Sequence, residues 1–425
     1  MKLLSVDITG FRGLNELHCD FDPQLTVLVG ENGVGKTSVL DALAILLDQF
    51  LARYVRNSPQ SAKKIKAADV SADLEALTFD STLRLQADVG RSSPLTWVVE
   101  SALPFLRKQG AQQGSDFNEL NAYIKSKSDE DKKDSFAPPL IVFFGQKRAV
   151  LDVPARILSN ADLEPRAAFE KALDAKLDFR EFVAWFRDRS LLEAQHWREN
   201  AGYRDTQLEA VRQAMTQATG LADPEYKMAP SRGLYVRKRS TILRVDQFSS
   251  GEKSYLALVG DLARRLALLN PESSDPLSGT GIVLIDEVEL HLHPKWQRDF
   301  LPFLLKTFPK CQFIVTTHSP QVLGEIRADS IRILRVAADG RVDVVVPSAT
   351  YGRDSNYILL SVLGADERDR PLKDRLDALD AAIAGGRLDE ASTALAALRQ
   401  EMEGEPPELT IAQARLERRE RSRGK

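Results

Sequence analysis

The chain has 425 residues, 43% of them hydrophobic, which is enough for one large or two medium domains with real cores. Its formal net charge of -3 excludes a polycationic protein, so any binding of nucleic acid must use a local patch. Two distant cysteines, no signal-like start and no apolar run of about 18 residues lead us to expect a cytoplasmic protein that does not enter a membrane.

The first part of the chain predicts two strands followed by a helix. The stretch 1–30 reads as strand, turn and strand, with a short apolar run, Leu25–Val29, that ends at Gly30. A helix with one apolar face is predicted over 37–54. Between this strand and this helix stands Gly-Glu-Asn-Gly-Val-Gly-Lys-Thr, the pattern G-x-x-x-x-G-K-T in the context that the motif requires. The segment 30–37 therefore predicts a phosphate-binding loop for ATP.

Each residue type in this loop has a chemical reason to be there, although a chance glycine turn is the alternative. Glycines let backbone N–H groups curl around phosphate oxygens, and the helix N-terminus adds a positive dipole. We expect Lys36 to place its charge against the β- and γ-phosphates and to act in catalysis, and the Thr37 hydroxyl to be a ligand of Mg²⁺. The nucleotide-binding candidates are Gly30, Glu31, Asn32, Gly33, Val34, Gly35, Lys36, Thr37 and Ser38.

The middle of the chain changes character twice. Residues 70–100 alternate between apolar and polar, as in a β-hairpin, whereas the polar stretch 105–137 predicts a mobile loop or surface insertion that is partly helical. A buried strand, Pro139–Phe144, comes next. Apolar side chains at helical spacing then predict a helical lobe over 160–220, inserted between the phosphate loop and the rest of the ATP site.

Two apolar strands in the second half end in polar residues suited to ATP hydrolysis. Ile282–Ile285 delivers Asp286 and Glu287 to its carboxyl end, where open α/β sheets present catalytic groups. We expect Asp286 to hold Mg²⁺ and Glu287 to polarise the attacking water, with a solvated strand end as the alternative. His318 follows the next strand, where it would bond the γ-phosphate and sense its loss.

A fourth segment, Ser249-Ser250-Gly251-Glu252, lies just before a helix predicted over Ser254–Leu269. Either serine could be a helix N-cap, which accounts for one residue of the group. A serine hydroxyl, a glycine backbone and a helix dipole together also suit a γ-phosphate. We therefore expect this segment to bind nucleotide.

These segments together resemble the RecF/SMC-type members of the ABC ATPase class. Ser249–Glu252 is similar to the class signature, usually S-G-G-[EQ], although its second position here is serine, and Ile8–Leu14 matches the start typical of this group. The resemblance implies a head-to-head dimer around two ATP molecules, open to higher oligomers, in which the signature of one subunit completes the site of the other. It also places Arg12 beside nucleotide or DNA, with an ordinary surface arginine as the alternative.

The resemblance extends to the segment after the two carboxylates. Glu289–Pro294 is similar to the D-loop of the class; His291 and His293, two residues apart, would otherwise suggest a metal pair, but no further ligand is nearby. Gln146 is a candidate for the Q-loop glutamine, and Arg148 beside it would face phosphate or DNA.

The predicted fold is α/β, an ABC-type (RecF/SMC-like) P-loop ATPase head with an inserted helical lobe and a C-terminal helical extension. ATP and Mg²⁺ are the implied cofactors. The predicted divisions are 1–104 for the first half of the head with the phosphate loop and a β arm, 105–240 for the loop and lobe, 241–348 for the second half with signature, Walker B carboxylates and His318, and 349–425 for the extension with its basic tail.

The end of the chain favours one branch of this class. Thr350–Leu359, followed by amphipathic helices at Leu376–Ile383 and Leu388–Met402, resembles the ATPases of Septu-type and retron-associated antiphage systems, the PtuA family. Members of that family work with a separate HNH nuclease, PtuB. The resemblance implies such a nuclease, and DNA, as partners, and it makes the helical tail either a docking or oligomerisation element or a simple cap over the head.

The chain itself offers no nuclease motif in this tail, since Asp377 and Asp380 lie on a predicted helix. The basic end, Arg415–Lys425, would touch nucleic acid or form a disordered tail. We expect an ATPase that controls DNA sensing or a partner nuclease in antiphage defence. The alternatives are a stand-alone RecF-like repair ATPase and a nucleotide-gated scaffold with little turnover.

Overall fold

The computed structural model describes residues 1–71, 80–102, 114–131, 138–148, 160–229, 231–337, 339–364, 370–402, 404 and 406–423. These residues form two compact units, Met1–Ile358 and Leu359–Lys425. The predicted division of the chain into four parts stays a prediction. Part of the polar stretch expected at 105–137 lies outside the described residues, and part of it is helical.

The strands belong to three sheets. In chain order they are β1 (Lys2–Phe11), β2 (Leu14–Asp20), β3 (Leu25–Gly30), β4 (Asp80–Asp88), β5 (Leu95–Ala102), β6 (Leu140–Phe144), β7 (Ala222–Lys227), β8 (Gly233–Lys238), β9 (Thr241–Arg244), β10 (Gly281–Ile285), β11 (Cys311–Thr316), β12 (Ile331–Val336) and β13 (Val342–Val345).

The helices surround these sheets in the first unit and form the second. They are α1 (Lys36–Tyr54), α2 (Asn118–Asp131), α3 (Phe179–Glu199), α4 (Thr206–Thr219), α5 (Ser250–Leu269), α6 (Pro294–Thr307), α7 (Pro320–Leu323), α8 (Ser355–Ser361), α9 (Arg370–Ala384), α10 (Leu388–Glu401) and α11 (Pro407–Arg423).

The six-stranded sheet carries the predicted ATP-site segments. Its order is β13-β12-β3-β11-β10-β6, and the pairs from β12 to β6 are all parallel. Every residue of β3, β6, β10 and β11 is buried, as expected for parallel strands covered on both faces. Because parallel strands end at one edge, the segments that follow β3, β6, β10 and β11 lie at the same edge. The predicted α/β class is confirmed.

An antiparallel sheet in the order β2-β1-β4-β5 packs against α1. The indole N–H of Trp97, a buried residue of β5, donates to the carbonyl of Leu46 in α1 at 2.9 Å. Helix α1 also contacts β3 and β11 of the large sheet, so the helix that begins at the phosphate loop lies between two sheets. Helix α1 is thereby held from both sides.

The inserted lobe contains α3 and α4, as the apolar spacing predicts, but also the three-stranded sheet β7-β8-β9, which the sequence did not predict. Helix α5 carries a buried charge cluster, in which Asp261 accepts from Arg264 at 2.7 Å and from Arg265 at 2.7 Å. Arg265 also donates to the carbonyl of Glu170 at 3.1 Å. The helix that begins at Ser250 is thus fixed to the lobe at its far end.

The second unit has its own apolar core, supplied by α9, α10 and α11. The predicted amphipathic helix Leu376–Ile383 lies within α9, and the predicted helix Leu388–Met402 corresponds to α10, which ends one residue earlier, at Glu401. The alternative of a disordered basic tail is wrong for the described part of Arg415–Lys425, because α11 is helical through Arg423 and buries Leu416 in this core. Among the described residues, no helix combines the length and the apolar character needed to cross a bilayer.

Candidate functional site

The phosphate loop has the backbone that its glycines predict. Gly30, Gly33 and Gly35 all have positive φ angles, of 150°, 85° and 105°. A β-carbon at Gly30 would lie 2.5 Å from the carbonyl oxygen of Leu334 in β12, so only glycine fits there. Gly35 is the N-cap of α1 in the left-handed conformation, which is unfavourable for residues with a β-carbon. These positions direct the loop around the helix N-terminus, where anions bind.

Lys36 folds back over this loop. Its ammonium group donates to the carbonyls of Gly30 at 2.9 Å and Glu31 at 2.8 Å, and the residue is 6% exposed. Burial lowers the pKa of Lys36, while the nearby carboxylates, Asp286 first, act to raise it. A buried cation held by two neutral carbonyls is suited to exchange those partners for phosphate oxygens.

The structure brings Thr37 and Asp286 together from positions far apart in the chain. The Thr37 hydroxyl donates to Asp286 Oδ2 at 3.0 Å, and residue Asp286 is 2% exposed. Thr316, at the end of β11, donates to Asp286 Oδ1 at 2.6 Å. A hydroxyl and a carboxylate at one point are the hard oxygen donors that Mg²⁺ prefers, so the donor set fits the implied ion.

Glu287 follows Asp286 with a positive φ of 46°, unusual for a residue with a side chain. Its amide donates to the hydroxyl of Thr316 at 2.7 Å. Gln146, the candidate Q-loop glutamine, donates from Nε2 to Glu287 Oε1 at 3.1 Å. This contact places Gln146 beside the predicted catalytic carboxylate.

His318 lies at the same edge of the sheet. Burial lowers the pKa of His318, and the positive charge of the nearby Lys36 lowers it further. Its backbone N–H donates to Glu289 Oε1 at 2.6 Å, and the Thr317 hydroxyl donates to Glu289 Oε2 at 2.7 Å. A neutral imidazole has one donor and one acceptor nitrogen, as hydrogen bonding to a phosphate oxygen requires.

The signature segment starts α5 with a capping box. Ser249 Oγ accepts from the amide of Glu252 at 3.3 Å, and the Glu252 carboxylate accepts from the Ser249 amide at 3.2 Å. Lys238 of β8 forms an ion pair with Glu252 at 2.5 Å. Ser249 and Ser250 are exposed, while Gly251 is partly buried. Within a single chain, Ser249 therefore acts as the N-cap of α5. The exposed serines also leave the helix N-terminus open to a ligand.

The D-loop segment runs directly beneath the signature. A β-carbon at Gly251 would stand 2.2 Å from the carbonyl oxygen of His291, so glycine permits this close approach. His293 caps α6, where its Nδ1 accepts from the amide of Lys295 at 3.3 Å. No group of three or more His, Cys, Asp or Glu side chains within the described part of the chain is arranged to hold a metal. The metal-pair alternative for His291 and His293 gains no support from this arrangement.

Two arginines from the sequence analysis have carboxylate or carbonyl partners. Arg12, with a positive φ of 53°, pairs with Asp41 of α1 and with Asp69 at 3.0 Å. Arg148 is 2% exposed and donates to the carbonyls of Gly145, Asp286 and Glu287, with 3.1 Å to Gly145. Burial lowers the pKa of Arg148 to about 10. The expectation that Arg148 faces phosphate or DNA is wrong for this structure, because its guanidinium group points into the head.

Two residues of this site have roles that the sequence did not predict. Thr316 links Asp286 to the amide of Glu287, and Glu289 holds the turn before His318. A threonine that ends an otherwise apolar strand is the available signal for Thr316. Glu289 was predicted only as the start of the D-loop segment, and its contact with the turn before His318 has no local signal, because its partners follow a strand that is distant in the chain.

The comparison with protein families decides the class. The model described as "AAA domain, putative AbiEii toxin, Type IV TA system" matches residues 25–324, which include every segment of this site except Arg12. The chain belongs to this family. The Retron Ec83 probable ATPase of Escherichia coli is 30% identical, with 87% of this chain aligned to 77% of that protein. The Septu protein PtuA of Bacillus thuringiensis is 23% identical, with 88% of this chain and 86% of that protein aligned.

Among solved structures, the SMC head domain from Thermotoga maritima aligns with a TM-score of 0.44 at 17% identity, covering 81% of this chain and 99% of that one. The predicted place of the chain among RecF/SMC/OLD-like ATPases of the retron and Septu type is confirmed by its family and its relatives. The predicted ATP hydrolase activity is confirmed with it.

Proposed function

We propose that this family member hydrolyses ATP at sites shared between two copies of the chain. The contact between the Thr37 hydroxyl and the Asp286 carboxylate, at 3.0 Å, carries the proposal, since it joins the loop that would hold phosphate to the strand end that would hold the metal. Mg²⁺ bound by Thr37 and Asp286 would neutralise charge on the β- and γ-phosphates. Lys36 adds a second positive charge beside the same oxygens.

Glu287 is the residue proposed to act on water. Its carboxylate orients a water molecule and accepts a proton from it as the water oxygen attacks the γ-phosphorus. The bond from the γ-phosphorus to the β–γ bridging oxygen then breaks, which gives ADP and phosphate. Gln146 holds the carboxylate by its 3.1 Å hydrogen bond. His318, whose pKa is lowered by burial, is neutral near pH 7 and would hydrogen-bond the γ-phosphate.

The signature supports the second half of the proposal. Ser249 and Ser250 are exposed at the N-terminus of a helix that runs 20 residues, and an exposed helix N-terminus favours an anion. The hydrogen bonds of Ser249 and Glu252 run to each other and to Lys238. A γ-phosphate bound by the partner's loop would meet Ser249 and the backbone of Gly251.

A mixing experiment tests the shared site. Lys36→Ala removes the loop charge, and Ser249→Arg fills the exposed signature without disturbing a core. Each variant alone should hydrolyse little ATP. A mixed dimer keeps one intact site, formed by the phosphate loop of the Ser249→Arg copy and the signature of the Lys36→Ala copy. With free exchange, about half of the dimers are mixed, so turnover should recover to about a quarter of the unaltered level.

A control isolates complementation from mere mixing. Lys36→Ala mixed with the Lys36→Ala/Ser249→Arg double variant has no intact pairing and should stay inactive. Light scattering after size exclusion verifies that the copies associate. If the copies associate and the first mixture is no more active than its separate components, the shared site is wrong.

We also propose that the ATP state controls DNA sensing or a partner HNH nuclease in antiphage defence. The relatives aligned over most of the chain are a probable ATPase of a retron and a protein of a Septu system, and this supports defence over a stand-alone repair role. The second unit, with its own core, is the proposed docking element.

The defence role predicts that the chain co-purifies with an HNH protein encoded beside it. It also predicts that ATP turnover changes several-fold when duplex DNA is added to that complex. A chain that co-purifies with no nuclease but is stimulated by DNA would support the repair alternative. Negligible turnover under every condition would support the scaffold.

A further inference from the structure

The segment after β6 runs beside the predicted catalytic carboxylates. In the register of the sheet, Phe144 of β6 is opposite Ile285 of β10, and the amide of Asp286 donates to the Phe144 carbonyl at 2.9 Å. Gln146 and Arg148 therefore reach Asp286 and Glu287 from a neighbouring strand end. Gln146 meets the side chain of Glu287, whereas Arg148 meets the backbone.

Burying the Arg148 guanidinium group costs free energy unless hydrogen bonds to its surroundings offset the loss of water. Its side chain is almost fully buried, and a buried cation needs partners to offset its lost hydration. The carboxylates of Asp286, Glu289 and Glu287 compensate part of its charge. Its hydrogen bonds, however, run to the backbone carbonyl oxygens of Gly145, Asp286 and Glu287. A planar guanidinium group with several fixed donors can hold separate carbonyls at one geometry, which an ammonium group cannot.

The backbone that Arg148 holds is in an unfavourable conformation. Glu287 has a φ of 46°, in the left-handed region that favours glycine. Its amide is held by the Thr316 hydroxyl at 2.7 Å and its carbonyl by Arg148. Both peptide groups that flank the Glu287 α-carbon are therefore fixed, and they determine where the carboxylate points.

We propose that Arg148 is a positioning residue for ATP hydrolysis, holding the Asp286–Glu287 backbone so that the Glu287 carboxylate meets Gln146 and the attacking water. The inference rests on the proposed role of Glu287. The hydrogen bonds of Arg148 run to the carbonyls after β6 and β10 and not to the phosphate loop, so it acts on the turnover rate and little on ATP binding.

Arg148→Met, which keeps the bulk and removes the donors, should lower kcat by about 10²-fold, the effect of a misplacement near 1 Å. The dissociation constant of Mg²⁺-ATP, measured with a fluorescent analogue, should change by less than about three-fold. Arg148→Lys, which retains charge and some donors, should fall between this variant and the unaltered chain. A kcat within three-fold of the unaltered value in Arg148→Met would overturn the proposal.

Arg212→Met is the matched control. Arg212 also donates to a carbonyl, that of Pro224 at 3.3 Å, and to a buried carboxylate, Glu193 at 2.9 Å, but it lies in the lobe. It should lose stability without a specific loss of kcat. A purely structural role for Arg148 predicts that both variants reduce kcat and ATP affinity alike.

Two further measurements separate positioning from general damage. In a Glu287→Gln background, Arg148→Met should cost less than about two-fold in residual single-turnover rate, because residues that act as a unit are not additive. Hydrogen exchange needs no turnover: amides of Asp286–Leu290 should exchange faster in Arg148→Met and not in Arg212→Met. Unchanged exchange there would overturn the inference, whereas failure of the proposed ATP chemistry would appear as Glu287→Gln retaining full turnover.

Discussion

Replacing Glu287 with glutamine should lower ATP turnover by about 10³-fold, within the range that general-base catalysis supplies. The amide keeps the shape of the side chain and can still meet Gln146, but it cannot accept the proton of the attacking water. ATP binding should be preserved, because the phosphate loop and Asp286 are untouched. ATP should therefore accumulate in the site, and the chain should be trapped as a dimer in the presence of Mg²⁺-ATP.

Two measurements check this result, phosphate release under saturating ATP and light scattering with and without ATP. Glu272→Gln makes the same chemical change at an exposed position outside the site and should leave both unchanged. Undiminished turnover in Glu287→Gln would remove Glu287 from the chemistry. Loss of turnover without an ATP-dependent dimer would keep the chemistry and contradict the shared site.

Replacing Lys36 with alanine should abolish tight ATP binding and lower turnover by about 10³-fold, as expected for a lost preorganised charge in a buried site. Its ammonium group is held over the loop by the carbonyls of Gly30 and Glu31, ready to exchange them for phosphate oxygens. Burial lowers the pKa of Lys36, so folding disfavours the charged form of this side chain. The variant should therefore lose ligand binding without losing its fold.

Calorimetric titration with a non-hydrolysable ATP analogue measures the first effect, and urea unfolding measures the second. The free energy of unfolding should fall by less than about 1 kcal/mol, a loss close to that of substitutions at surface positions. Lys306→Ala, at an exposed position in the last turn of α6, is the control for charge removal. ATP affinity within a few-fold of the unaltered chain would contradict the role of Lys36.

The edge of the large sheet was predictable because its signals are local. A buried apolar run that ends in Gly30, or in Asp286 and Glu287, identifies both the strand and the end at which chemistry occurs. Parallel strands then bring these ends together without further information. The helix after Gly35 was predictable for the same reason, since the loop motif and the apolar face of α1 are contiguous.

The remaining features depend on contacts between distant segments. Nothing near Arg148 in the sequence distinguishes a phosphate ligand from a residue that binds carbonyls after β10. The sheet β7-β8-β9 has weak signals, because β7 carries the Ala-Asp-Pro-Glu sequence and a register irregularity after Ala222. Helix α11 is mostly polar, and only its packing against α9 and α10 makes the pattern of Leu409, Ala412 and Leu416 meaningful.

The close approach of Gly251 to the His291 carbonyl bears on how two copies would work in turn. The signature would close on the nucleotide of the second copy, whereas the loop through His291 begins just after the chain's own Glu287. With only 2.2 Å from a would-be β-carbon to that oxygen, the two segments have no slack between them. ATP bound by one copy would therefore lie one close backbone contact away from the loop that follows Glu287 of the other. If this contact transmits occupancy, the mixture of Lys36→Ala and Ser249→Arg copies, whose mixed dimers have one damaged site, would recover less than a quarter of the unaltered turnover, which is the value for two independent sites.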